Sequence, residues 1–267
     1  MNITSLSSGS KGNCMLVECG NTNILIDTGL SMKKMNEKLL MSKGIDLDDI
    51  NFIFTSHSHS DHIQSLHSIH NNYEHIEFIM NDDVYQTIKD KLKAIDFDRL
   101  EIHKVGSYFY DDITVSPFEL EHDKPTLGFK IVESETNESL VFISDNGMLP
   151  YKFRDLTQLF NATYYAIESN YDEYQQYTDT TRNELLKRRV LSTKGHSSNF
   201  NAIEKACMMV GTNTKGVMFH HLSEHCNSEE IASESHQAYM ATWGKKTQFK
   251  SIVIRYARQN EIVELNR

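Results

Sequence analysis

The chain of 267 residues is 39% hydrophobic and 24% charged, with no low-complexity tract. That composition excludes disorder and fits one globular α/β unit able to bury a sizeable core. No window approaches about 18 uninterrupted apolar residues, and the opening MNITSLSSGSKGN has no basic stretch running into an apolar one, so neither membrane insertion nor export is expected and the expected location is the cytoplasm.

Net charge is −10, which argues against a generally adhesive polyanion binder. Divalent ions held at one place would still make the potential there locally positive.

In chain order, ITSLSS, CMLVEC and the alternating TNILIDTG read as a β-meander with tight glycine-containing turns. MKKMNEKLLMSKG follows with apolar residues at Met32, Met35, Leu39 and Leu40, a helical spacing closed by Gly44 as C-cap. NFIFTS has the character of a buried strand, and its C-terminal end delivers HSHSDH. Next come a strand at HIEFIM, a helix from about Asp82 to Ala94, a strand near DDITVSPFEL, and a hairpin of TLGFKIVES with SLVFISD. The second half reads as a strand at ATYYAIES, a helix from Ser198 to Val210, a strand at KGVMFHH, a helix from Ser228 to Thr242, and a closing hairpin of SIVIRYA with EIVEL. Two meanders, each followed by helices, suit two sheets packed face to face with helices outside. No Pro- or Gly-rich linker divides the halves, so residues 1–267 are expected to form one domain.

Cys14, Cys19, Cys207 and Cys226 have neither zinc-knuckle nor paired extracellular spacing and are expected to be reduced thiols. Cys226 and His225 lie close to His220 and His221, which leaves metal contact by either open.

His57, His59, Asp61 and His62 form H-x-H-x-D-H directly after a predicted strand. Histidines two apart in extended backbone point to the same side, so His57 and His59 suit one ion. A turn into helix near Asp61 would aim that carboxylate and His62 at a second. Imidazole with carboxylate suits zinc, manganese or iron. The competing reading is a solvated histidine-rich loop.

TSHSHSDH resembles the signature of the metallo-β-lactamase superfamily, and further segments resemble its remaining motifs in order. The resemblance implies a four-layer αββα sandwich with two divalent metal ions. It implies that His57, His59 and His122 hold the first ion, that Asp61, His62 and His221 hold the second, and that Asp145 of FISDNG bridges them. Asp27 of LIDTG matches an aspartate that supports the ligands. His221 is preferred over His220 because HLSE resembles the nuclease branch. His67, His70, His75, His103 and His236 have no matching context and are read as ordinary.

Around the motifs, Ile63, Gln64 and Ser65 differ from the small, glycine-rich segment of glyoxalase-type thioesterases. Asp145 stands where true β-lactamases have cysteine, and His59 where the flavodiiron branch has glutamate. IESNYDE and GHSSN resemble segments of the nucleic-acid processing members, which nominates Glu168 and His196. The competing readings are a strand end and a helix cap. Only 22 residues separate Asp145 from Glu168, too few for a β-CASP insertion, and there is no long glycine- and proline-rich arm. With SLSSGSKGN, ESNYDE, GHSSN and HHLSE in sequence, the chain resembles the YycJ (WalJ) family, which implies a 5′ to 3′ DNA exonuclease linked to mismatch repair.

Arg182, Lys187, Arg188, Arg189 and Lys194 cluster where a phosphate backbone could be tracked, or form only a solvated helix face. The SSGSKGN loop would offer backbone N–H groups to phosphate or be a tight turn. The expected chemistry is phosphodiester hydrolysis, with Asp61 orienting water and His196, held by Glu168, stabilising phosphoryl charge or protonating the leaving oxygen. Hydrolysis of a small ester or cyclic nucleotide is the alternative, followed by RNA processing and by a binding protein with a structural metal. Protein partners are not legible.

Overall fold

The computed structural model describes residues 1–93, 99–102, 106–147 and 157–266. The first sheet contains β1 (Asn2–Ser7), β2 (Cys14–Cys19), β3 (Thr22–Ile26), β4 (Phe52–Phe54), β5 (Glu77–Met80), β6 (Leu100–Ile102) and β14 (Val263–Glu264), in the order β14-β1-β2-β3-β4-β5-β6. The second contains β7 (Tyr108–Phe109), β8 (Ile113–Leu120), β9 (Thr126–Glu133), β10 (Ser139–Ile143), β11 (Tyr164–Glu168), β12 (Gly216–His220) and β13 (Val253–Tyr256), in the order β13-β12-β11-β10-β9-β8-β7. Each sheet is antiparallel where hairpins build it and parallel from β3 to β6 and from β10 to β13.

Strand pleating sends alternate side chains to opposite faces. Leu140 and Phe142 therefore join Val17, Ile24 and Phe54 between the sheets, while Val141 and Ile143 face outward with Ala202, Ile203 and Met240. Those last three belong to α7 (Asn199–Met209) and α8 (Glu229–Thr242). On the other outer face, Leu16, Leu25, Ile53 and Phe78 pack with Met35, Leu39, Ile69 and Val84, carried by α1 (Met32–Lys43), α3 (Leu66–Asn72) and α4 (Asp82–Ile88). This is the expected αββα sandwich. The remaining helices, α2 (Ser60–Ile63), α5 (Glu173–Thr178) and α6 (Glu184–Leu191), lie in the connections around one end of the sheets.

Two expectations are corrected. The last two strands do not form a hairpin: β13 pairs parallel with β12 in the second sheet, whereas β14 pairs antiparallel with β1 in the first. Alternation identifies a strand but not its partner, and here both sheets offered an edge. The chain crosses between sheets at Arg258–Asn260, docked by Ser8 N–H on the Arg258 carbonyl and by Gln259 on Ser7 and Lys11. The helix expected to reach Ala94 ends at Ile88, with a single 3-10 turn at Lys89–Lys91. Asn71 intercepts the backbone there, donating to the Lys91 carbonyl and accepting from Lys93 N–H. Ala94 and His103 lie outside the described residues.

Candidate metal centre

The site residues lie at the C-terminal ends of strands, where parallel α/β sheets open a crevice. After β4 the chain runs extended through His59, which has φ −65° and ψ 146°, and then turns into α2. His57 and His59 thus precede the helix, while Asp61 and His62 sit inside it. Backbone contacts fix this turn. Asn13 N–H donates to the Asp61 carbonyl at 2.8 Å and Thr28 N–H to the His62 carbonyl at 2.7 Å. Only glycine fits at Gly29, because a Cβ there would stand 1.7 Å from the Asp61 carbonyl oxygen.

His122 follows β8, Asp145 follows β10, Glu168 ends β11 and His221 follows β12. Asp27, Asp145 and His221 adopt positive φ of 62°, 47° and 60°, a left-handed conformation costing about 1 kcal/mol or more in a non-glycine residue. These sharp turns come directly at or just beyond strand ends.

The side chains gather into four overlapping sets, one of Asp145, Glu168, His196 and His221 and three that share five histidines: His57, His59 and His122; His57, His62 and Asp145; and Asp61, His62 and His221. In each of the five histidines one ring nitrogen meets a neighbouring oxygen. His57 Nδ1 meets Ser56 Oγ at 3.0 Å, and His59 Nε2 meets Asp123 Oδ1 at 3.2 Å. His62 Nδ1 meets Asp27 Oδ2 at 2.7 Å, His122 Nδ1 the Gly195 carbonyl at 3.0 Å, and His221 Nδ1 meets Glu168 Oε1 at 3.0 Å. Such contacts fix tautomer and ring direction and leave the other nitrogen for an ion. The Nε2 atoms of His122 and His221 are buried without a well-formed hydrogen bond and face only carboxylate oxygens, Asp123 Oδ1 at 3.1 Å and Asp61 Oδ2 at 3.7 Å, an arrangement a metal would satisfy. The donor set of imidazoles and carboxylates therefore fits divalent metal.

Electrostatics agree. Burial, with the neighbouring His62 charge, holds His57 well below its ordinary pKa. Burial also opposes charge on His62 and His221, but Asp27 and Asp145 lift the former well above the imidazole range, and Asp145 and Asp61 lift the latter to about 10. Burial would raise Asp145, Asp61 and Glu168, yet the surrounding histidines hold all three below the usual carboxylate range. These carboxylates thus require positive charge beside them, as protons or as cations.

His196 and Glu168 stand against this cluster. His196 Nδ1 lies 2.6 Å from Glu168 Oε1 and 3.2 Å from Asp145 Oδ1. Burial opposes its charge, but Glu168 and Asp145 raise its pKa to about 9. Glu168 Oε2 accepts the N–H groups of Asn146 and Ser197, so this carboxylate braces the loops that carry Asp145 and His196.

His220 faces away. Its Nε2 meets the Ile143 carbonyl at 3.0 Å, its ring stacks on Phe142, and burial lowers its pKa to about 4. Cys226 is buried beside Tyr171 and Val190, in none of the ligand sets, and all four cysteines are free thiols. His236 is buried between Ser169 and Tyr256.

An open cleft of about 670 Å³ lies over the cluster. Of the five nominated cations, Arg182 and Arg189 line it. Arg182 is held by Gln176 and Ser223, and Arg189 by Asp123 at 2.7 Å. Lys187 bonds the Tyr177 carbonyl, and Arg188 and Lys194 are exposed outside the lining. In the SSGSKGN loop, read as a phosphate cradle or a tight turn, the N–H groups of Ser8, Gly9, Lys11, Gly12 and Asn13 are bonded internally, and Ser10 lines the cleft.

Sequence reasoning missed several residues. Asp123 contacts His59, His122 and Arg189 at once, and its only signal was adjacency to His122. Asn13 Nδ2 approaches His62 Nε2 and Asp61 Oδ2, and Ser8 Oγ accepts the His221 N–H. Lys205 is buried in α7 and donates to the Asn146 carbonyl, Asn146 Oδ1 and Ser197 Oγ, with burial lowering its pKa to about 8. Nothing in a helical lysine announces that role.

Relatives match the same span. A chain described as exodeoxyribonuclease WalJ from Streptococcus pneumoniae is 29% identical over 230 residues, covering 85% of this chain and 83% of the relative. One described as exodeoxyribonuclease YycJ from Bacillus anthracis is 29% identical over 231 residues, covering 86% and 85%. Among solved structures, the metallo-β-lactamase fold protein YhfI from Bacillus subtilis superposes with a TM-score of 0.68 at 14% identity, covering 99% of this chain and 100% of that one. The short form of human tRNase Z gives 0.65 at 16% identity, covering 98% of each. The family model described as "Beta-lactamase superfamily domain" matches residues 22–221. With its sandwich fold and the histidine and aspartate cluster at the strand ends, the chain belongs to the beta-lactamase superfamily, as an enzyme of metallo-β-lactamase fold.

Proposed function

We propose that this chain is a dinuclear-metal-dependent phosphodiesterase acting on DNA ends, a 5′ to 3′ exonuclease serving DNA repair, including mismatch repair, in the cytoplasm as a single domain. The observation that carries the chemistry is the His196–Glu168 pair against Asp145, beside the overlapping sets of histidine and aspartate ligand atoms. The exodeoxyribonuclease relatives support DNA as the substrate class. No helix among the described residues is long and apolar enough to cross a membrane.

His57, His59 and His122 would hold the first ion, Asp61, His62 and His221 the second, and Asp145 both. Zinc, manganese and iron all suit these donors. Two such ions would acidify a water and offset charge developing on the phosphoryl oxygens. Asp61 orients the attacking water. Glu168 fixes His196 through Nδ1, leaving Nε2 to bind the phosphate or give a proton to the leaving oxygen. Arg189 and Arg182, on the cleft wall, face the incoming backbone.

The test offers metal-loaded protein end-labelled single- and double-stranded DNA and RNA, beside bis-nitrophenyl phosphate and a phenyl ester. Stepwise shortening of DNA from its 5′ end supports the reading. Turnover of the ester alone, or of a cyclic nucleotide added as a further substrate with DNA left intact, overturns it, and preference for RNA moves the chain to RNA processing.

A further inference from the structure

α6 lines the cleft, and α5, which ends at Thr178 just before the Arg182 that also lines it, exposes its aromatic side chains. Tyr174 and Tyr177 are 76% and 78% exposed, and Leu185 is 79% exposed. The two tyrosines are three residues apart on α5, so their rings share one face. α6 buries only Val190 of its eight residues. The arm is nonetheless anchored: Arg182 bonds Gln176 and Ser223, and Lys187 bonds the Tyr177 carbonyl. Its inner side, through Arg182, Leu186 and Arg189, forms a wall of the cleft that holds Asp61, Asp145 and His196.

The positive charge of this arm lies on its α6 side: residues 182–194 carry Arg182, Lys187, Arg188, Arg189 and Lys194 against the single acid Glu184, while Asp172, Glu173 and Asp179 flank the tyrosines of α5, in a protein of net charge −10. Exposed aromatic faces with interspersed arginines are what an unpaired polynucleotide requires, since bases stack on the rings while phosphates meet the cations. A second copy of the chain fits less well. A two-fold contact whose axis passed through α6 would bring the cations of both copies near one another.

We infer that the α5–α6 arm is a binding surface for a single DNA strand, with Tyr174 and Tyr177 stacking unpaired bases next to the cleft. This rests on the nuclease reading above and adds the strand state of the substrate: the end must be unpaired where it crosses the arm.

The test compares fluorescein-labelled, phosphorothioate-linked 12-mers in an anisotropy titration of the metal-loaded protein. One carries thymine bases and the other is abasic, with the same charge. The thymine strand is expected to bind about 10-fold or more tightly, the scale of stacking on one or two rings. Tyr174→Ala/Tyr177→Ala removes that difference, and Tyr174→Phe/Tyr177→Phe retains it. Equal binding of both strands, or an Ala variant that still discriminates, overturns the inference. So does a wild-type dimer in sedimentation that the Ala variant dissolves, which would make the face an interface between copies. DNA cleavage without base dependence sinks this inference alone, whereas neither binding nor cleavage of DNA sinks the nuclease reading with it.

Discussion

Nδ1 of His196 lies 2.6 Å from Oε1 of Glu168, and the same oxygen stands 3.0 Å from Nδ1 of His221. One carboxylate oxygen thus serves a proposed acid and a proposed ligand, and substitutions separate the two. His196→Ala is expected to keep its metal and lose about 100-fold or more in turnover of DNA, the scale of general acid catalysis. The defect should be small on a nitrophenyl ester of a nucleotide, whose leaving group hardly needs a proton. Glu168→Gln should lose both rate and metal. An equal loss on DNA and the activated ester would assign His196 to phosphate binding.

Carboxylates behind His62 and His59 give a second prediction. Asp27→Asn and Asp123→Asn each leave the ligand rings in place but weaken their anchoring, so metal affinity should fall about 10- to 100-fold without unfolding. His59→Ala, which removes a ligand nitrogen of the first ion, should lower bound metal and abolish hydrolysis. Metal titration and elemental analysis decide it. Unchanged metal content in folded His59→Ala would remove His59 from the centre.

Arg189 and Arg188 differ although they are neighbours. Arg189 lines the cleft and pairs with Asp123, while Arg188 lies outside the lining. The double Ala variant should weaken polynucleotide binding and flatten its salt dependence, with turnover of bis-nitrophenyl phosphate little changed. Arg189→Ala alone should account for more of the loss near the scissile bond than Arg188→Ala. Equal damage to both substrates would make the cluster a prop for the fold.

Metal removal should cost stability as well as activity. An ion at about 1,000 times its dissociation constant stabilises the native state by about 4 kcal/mol, which corresponds to roughly 10 °C in a chain of this size. Chelation followed by calorimetry is expected to show that drop, reversed by zinc or manganese. An unchanged melting temperature would mean that the cluster does not bind metal in the folded chain.

Lys205 should be intolerant of an apolar replacement. Lys205→Met removes the buried ammonium that donates to Asn146 Oδ1, the Asn146 carbonyl and Ser197 Oγ, of which the carbonyl keeps the Ser197 hydroxyl as donor, and the loss of such buried bonds costs about 1–3 kcal/mol. A lower melting temperature should come with reduced turnover, because Asn146 adjoins Asp145 and Ser197 adjoins His196. Normal stability and rate would show that water replaces the ammonium.

Local patterns carried much of this molecule. H-x-H-x-D-H, the strand runs and the helix bounded by Ser31 and Gly44 are set by residues near each other in sequence, and so they are readable there. The histidine facing the cluster after β12 was legible only through the resemblance, since His220 and His221 both end an apolar run. Partners supplied from afar were not legible: Asn13 against His62, Lys205 against Asn146, and β14 against β1 instead of β13. The early stop of α4 has the same origin, because its cause is Asn71, on another helix.

The crossing at Arg258–Asn260 sets an order of assembly. Gln259 reaches Ser7, 252 residues away in sequence, and β14 covers the edge of β1. Ser7 and Ser8 sit in the segment that steadies His221. During synthesis the first strand therefore presents unpaired backbone, a template for misassociation, until nearly the whole chain has emerged. Contacts of such separation form late and slowly. Ser8 accepts the His221 N–H and donates its own N–H to the Arg258 carbonyl, so the brace behind that histidine is tied to a crossing that docks late.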